Sequence, residues 1–186
     1  MKLRVIKIGG SLLSRSSLRA DFWAWHSHQP LAADVVIVGG GPVVDGLRAI
    51  DQTFAMNAAS MHWRCVRALR ATYEVMAELF PEWQPVERVC DLNVQAGPPV
   101  QLLTVDALYT PQAKAPLPCD WRTTSDAIAT WIAMTLSADE VVLLKSCAVP
   151  PGLSIAELSR RSIIDVAIAE VPFEPIRIEP LPKSPG

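Results

Sequence analysis

The chain has 186 residues, of which 50% are apolar and 19% charged, and it carries a net charge of −2 at neutral pH. That length supports one domain with a sizeable core, and that balance excludes a disordered chain. The slight acidity excludes nonspecific nucleic-acid binding as the main activity but leaves room for a local basic pocket.

The β-branched run LRVIKI predicts a strand over residues 3–8, interrupted by Lys7 and ended by Gly9-Gly10-Ser11. Leu18, Phe22 and Trp25 recur at helical spacing, which predicts a helix over 16–28. DVVIVGGG (34–41) reads as a fully apolar strand that again ends in glycines. A helix over 42–54 follows, with Pro42 suited to its first turn, and a long helical stretch over 57–79 is closed by Pro81. Residues 81–120 read as irregular and proline-rich, with VQLLTV (100–105) as their best strand. A helix is predicted over 123–138, with Thr and Ser able to cap it and Asp126 in its first turn. EVVLLK (140–145) is a further apolar strand. Short helices over 154–161 and 163–171, an edge strand over 175–180 and a loose tail over 181–186 complete the chain.

Continuously apolar strands alternating with helices predict an α/β fold, with a mainly parallel sheet covered by helices on both faces. No linker divides residues 1–180, so a single domain is expected. Cys65, Cys90, Cys119 and Cys147 are scattered, without the spacing of a metal site, and are expected to be free thiols. Lys7 and the glycines interrupt any signal-like apolar region, and no apolar run reaches the roughly 18 residues of a membrane span. A soluble cytoplasmic protein with no membrane partner is the expectation.

In a parallel α/β sheet, ligands bind beyond the carboxyl ends of the strands. Three such ends stand out: Lys7 through Ser11, the triplet Gly39-Gly40-Gly41, and Lys145-Ser146. Glycine loops leading into helix N-termini expose backbone N–H groups to an anion, and two lysines from the same edge add charge. Read singly, the glycines are turns or packing space and Asp126 is a helix cap. Read with Thr124 and Ser125, Asp126 can also accept bonds from a lysine and from glycine N–H groups around a phosphate. The P-loop, the dinucleotide fingerprint, the GxSxG elbow and HExxH are all absent.

Together, VIKIGGSLL, VVIVGGGPVVDGLRAID and TSDAIATWIA…ADEVVLLK resemble the amino-acid kinase family, which includes N-acetylglutamate kinase, aspartokinase, uridylate kinase and isopentenyl phosphate kinase. The resemblance spans roughly residues 1–170. It implies a three-layer α/β/α sandwich, ATP with Mg²⁺, and transfer of the γ-phosphoryl group to a small acceptor without a protein nucleophile. By the same resemblance, Lys7 would bridge the transferring phosphoryl oxygens, and Gly9, Gly10 and Ser11 would offer N–H groups to the nucleotide phosphates. Lys145 and Ser146 would join them. Gly39, Gly40 and Gly41 would approach the acceptor, and Asp126 would organise the lysine and the loop. MHWRCVRAL (61–69) and PLPCDWRTTSDAIATWIA (116–133) are similar to the methanofuran-pathway branch, whose members phosphorylate [5-(aminomethyl)furan-3-yl]methyl phosphate to its diphosphate. That narrower likeness implies an acceptor pocket lined by His62 and Trp121 beside Thr124 and Ser125. The family also implies a homodimer or larger homo-oligomer, for which 16–31 and 54–80 are candidate contact stretches. The sequence departs from the family in two places: LLKSCAVPPGLS replaces the usual Asp-Gly-Val segment, and RRSIIDVAIAE lacks the later lysine, for which Lys145 is the candidate substitute.

Overall fold

A computed structural model of the chain describes residues 1–93 and 100–183. Six parallel strands form one sheet: β1 (Leu3–Ile8), β2 (Ala33–Val38), β3 (Gln84–Val86), β4 (Gln101–Leu103), β5 (Glu140–Lys145) and β6 (Ile176–Pro180). Their spatial order is β3-β4-β2-β1-β5-β6, so β1 lies in the interior between β2 and β5. Ile8 pairs with both Val38 and Leu144, which brings three carboxyl ends level with one another.

Alternation along the strands splits the interior into two cores. Val5, Val35, Ile37, Val141 and Leu143 pack with α4 (Ser125–Thr135) and with the segment around Leu158 and Ile168. Ile6, Ile8, Val36, Val38 and Leu144 pack on the other face, against Leu18, Phe22 and Trp25 of α1 (Leu18–His26). The result is the expected three-layer α/β/α sandwich. α3 (Ala58–Leu79) serves both cores, through Val66 and Leu69 on one side and Tyr73 and Met76 on the other. Asn57 caps it by accepting the Ser60 N–H at 3.0 Å, and it ends at Phe80, before Pro81. α2 (Gly41–Phe54) carries Pro42 in its first turn, and α5 (Ile155–Arg160) opens with a Ser154–Glu157 capping box.

Several expectations change in detail. The helix expected over 16–28 occupies 18–26, and the one expected over 123–138 occupies 125–135. The helix expected over 163–171 is only a 3-10 turn, Val166–Glu170. The irregular 81–120 region hides strand β3, too short to show a period and carrying Pro85. Its residues 94–99 lie outside the described residues, as do 184–186 of the expected tail. The tail is not loose from its start. Leu181 is buried, donates its N–H to Lys145 O at 2.8 Å, and accepts from Arg15 Nη1 at 2.8 Å. The tryptophan-rich 16–31 stretch also turns partly inward, where Phe22 and Trp25 join an aromatic cluster with Phe80 and Trp83.

The strands are not wholly apolar. Arg4 is 1% exposed, and its Nε and Nη2 donate to Asp34 at 2.7 and 3.0 Å. The two residues face each other in the β1–β2 register, and His26 Nε2 lies 2.7 Å from Asp34 Oδ2. A buried guanidinium is tolerated because its charge is matched by Asp34 through two of its nitrogens, while Nη1, which forms no hydrogen bond among the described residues, lies 3.7 Å from Glu140 Oε1. Asp34→Ala removes the match and is expected to cost about 3 kcal/mol or more in chemical denaturation, because a buried charge is left unpaired.

Candidate functional site

The site is built where β1, β2 and β5 end. Lys7 and Lys145 stand on the same face of adjacent strands, with Lys7 paired to Leu143 and Lys145 two residues further on. That face is covered by α4, so both ammonium groups point under its first turn. Lys7 Nζ donates to Asp126 Oδ1 at 2.7 Å, and Lys145 Nζ donates to Asp126 Oδ2. All three side chains are buried. Burial opposes the charge on Asp126, but the two lysines outweigh it and hold the carboxyl below its usual range. Burial, with Lys7 nearby, pulls Lys145 below the usual lysine range, against the attraction of Asp126 and Asp165.

The glycine loops close the site from the other side. Gly10 and Gly41 lie so close that a Cβ on Gly10 would sit 2.1 Å from Gly41 N. Gly41 also has φ +50°, which a side chain rarely adopts. The first N–H groups of a helix have no partner within it, so those of Gly10 and Ser11, which open the 3-10 turn Gly10–Ser14, and those of α2 converge here. Gly9 and Gly39 behave differently from the expectation for a phosphate cradle. Their N–H groups continue the sheet pairing, to Leu144 O and Ile8 O, each at 2.9 Å. Ser11 and Ser146 meet through their hydroxyls at 2.7 Å.

Beside this edge lies a cavity of about 220 Å³ whose walls include Gly10, Ser11, Gly40, Gly41, His62, Trp121, Thr124 and Ser125. The two predicted sets of residues divide only in part. Lys7, Asp126, Lys145, Gly9 and Ser146 lie outside the cavity walls, as does Gly39 of the predicted acceptor set, whereas Gly10 and Ser11 of the predicted nucleotide set line it with the remaining acceptor residues. His62 Nε2 lies 3.0 Å from the Tyr109 hydroxyl. Burial lowers the pKa of this histidine against the influence of Asp120. Trp121 donates its indole N–H to Asp51 Oδ2 at 2.6 Å, and the Arg48 guanidinium sits over its ring at 4.2 Å.

Arg48 and Asp165 escaped the sequence reading. Arg48 is on the cavity wall and forms no ion pair among the described residues. Its signal was present in the helix period, since Val44, Arg48 and Asp51 follow the glycine triplet at three- to four-residue steps. Asp165 had no local signal. Its Oδ2 accepts from Thr124 N at 2.8 Å, Thr124 Oγ1 at 2.7 Å and Ala127 N at 3.1 Å. Thr124 supplies no cap of its own to α4, because its hydroxyl points to Asp165.

Burial and the facing charge of Asp126 push Asp165 up to about 6. A raised folded-state pKa means that this group contributes stability fully below about pH 4 and loses it as pH rises through about 6. Asp165→Asn, which stays neutral, is therefore expected to gain on the parent between pH 4 and pH 7. Thermal melts across that range should show the difference in Tm moving in favour of Asn as pH rises.

No protein-family model matches the chain, and no curated protein matches it significantly. Among solved structures, it is similar to uridylate kinase from Archaeoglobus fulgidus, with a TM-score of 0.58 and 16% identity, over 91% of this chain and 84% of that one. The chain thus shares the α/β fold of that kinase, as its parallel sheet and covering helices require.

Proposed function

We propose that this chain is an ATP-dependent kinase that transfers a phosphoryl group to a small acceptor carrying a phosphate monoester. The acceptor to which the resemblance points is [5-(aminomethyl)furan-3-yl]methyl phosphate. The observation that carries the reading is the buried Lys7–Asp126–Lys145 array at the carboxyl edge, set against two touching glycine loops and opening beside a small-molecule cavity. The kinase fold supports it.

In this reading the nucleotide phosphates lie along Gly10, Ser11, Lys145 and Ser146. The acceptor occupies the cavity between Gly40, Gly41, Arg48, His62 and Trp121. An acceptor phosphate oxygen attacks the γ-phosphorus, the bond to the bridging oxygen breaks, and ADP leaves with that electron pair. Lys7 and Lys145 neutralise charge as it spreads over the transferring oxygens, so catalysis is positioning plus electrostatics. Arg48, braced on the Trp121 ring, offers a planar donor fork to the acceptor's own phosphate. Among the described residues no group of three His, Cys, Asp or Glu is arranged to hold a metal ion. Asp126 is committed to two ammonium groups and Asp165 to the start of α4. These residues do not make a protein Mg²⁺ site, so the ion would come with the nucleotide. A homodimer or larger homo-oligomer in a cytoplasmic setting is part of the proposal, and light scattering reads the oligomeric state.

A second reading, a nucleotide-binding subunit without turnover, is favoured by one feature: residues 146–154 replace the Asp-Gly-Val segment with SCAVPPGLS. ADP release from Mg-ATP, with and without the acceptor phosphate, separates the two. Acceptor-dependent release is expected. Lys7→Ala should lower kcat by about 100-fold or more, a loss of about 3 kcal/mol in transition-state stabilisation. Full activity in Lys7→Ala would remove the site assignment, and nucleotide binding without release would establish the second reading. Arg48→Ala is expected to raise KM for the acceptor by about ten-fold or more while KM for ATP holds steady.

A further inference from the structure

We propose that Asp165 is a positioning residue of the phosphoryl-transfer site: it caps α4 from outside the helix and thereby holds Asp126 between Lys7 and Lys145. The role rests on the kinase reading, but the contacts that carry it are independent of that reading.

An N-terminal cap ordinarily comes from the residue just before the helix, whose side chain accepts an N–H from the second or third helical residue. Here Thr124 occupies that place and supplies no such bond. Asp165, about 40 residues downstream, supplies it instead by accepting from the Thr124 and Ala127 N–H groups and from the Thr124 hydroxyl. These bonds bracket Asp126 in sequence. The backbone on both sides of the bridging carboxylate is therefore fixed by one side chain from another part of the fold. An acidic group at a helix N-terminus is also favoured by the helix dipole.

The cap is more than neutral scaffolding. Asp165 Oδ1 is buried and has no hydrogen-bond partner among the described residues. The charged groups that bear on Asp165 are Asp126 from α4 and Lys145 from β5, with Lys7 of β1 bound to the far side of Asp126. Two ammonium groups thus meet two carboxylates. Asp126 bridges the lysines directly, while the charge of Asp165 acts on Lys145 in the raising direction, against the larger effect of burial. Asp165 belongs to RRSIIDVAIAE, the stretch that departs from the family pattern. Its side chain contributes a helix cap and a negative charge there.

Two variants and a direct readout test this. Asp165→Asn keeps an oxygen acceptor for the helix start but drops the charge, and Asp165→Ala drops both. The site is followed by the NMR titration of the Lys145 ammonium in selectively labelled full chain, by amide exchange at Thr124 and Ala127, and by kinetics. In Asp165→Asn, Lys145 is expected to titrate lower, and kcat to fall about ten-fold with KM for ATP within about two-fold. The basic limb of the rate profile should move to lower pH with Lys145. In Asp165→Ala, exchange at both amides should also quicken. An unmoved Lys145 titration in Asp165→Ala overturns the proposal whatever turnover does, because a cap that merely supported the helix would leave Asp126, and with it Lys145, undisturbed. If the unmodified chain transfers no phosphoryl group, the kinase reading fails, while titration and exchange still decide the role of Asp165.

Discussion

Everything at the carboxyl edge depends on one carboxylate between two ammonium groups. Two buried lysines on neighbouring strands repel each other and lose their hydration, a combination no sheet tolerates without compensation. Asp126 supplies the compensation by giving one oxygen to each. The arrangement demands that α4 begin at one height above the sheet and at one rotation, because a shift of one residue would turn Asp126 away. The glycine loops, the trans cap from Asp165 and the packing of Ala127, Ile128 and Ile132 against the β1–β2–β5 face all serve that placement.

One carboxylate divided between two lysines leaves each with donors to spare, and a lysine carries three. Converging helix N-termini add partial positive charge without adding a titratable group. An anion arriving there meets fixed donors and needs little reorganisation of the protein, which is the condition under which electrostatic stabilisation of a transferring phosphoryl group is most effective. The adjoining cavity differs in character. Its aromatic wall, its buried histidine and its single braced guanidinium suit a small molecule with one anionic end.

The opposite edge of the sheet solves the same problem differently. Arg4, Asp34 and His26 form a polar cluster on the α1 face, with Glu140 3.7 Å from Arg4 Nη1. There the charges are matched among themselves and pin the register of β1 on β2. At the functional edge a single carboxylate bridges both lysines directly, and the ammonium donors it leaves free can meet a ligand.

Much of this was legible in the sequence. Apolar strands alternating with helical periods determine a parallel sheet with two covered faces, because each period allows only one way to bury its apolar side. Lys7, Lys145 and the two glycine runs announced themselves as residues that a buried strand end does not otherwise need. What the sequence could not settle was which distant groups would meet. That Gly9 and Gly39 would spend their N–H groups on the sheet follows from the levelling of strand ends, a property of register. That Asp165 would cap α4, and that Arg48 would rest on Trp121, follows from packing between segments about 40 and 70 residues apart. Local periodicity fixes which face a residue occupies. Only the tertiary structure decides which partner waits there, because hydrogen bonds and ion pairs depend on distances that no sequence spacing encodes.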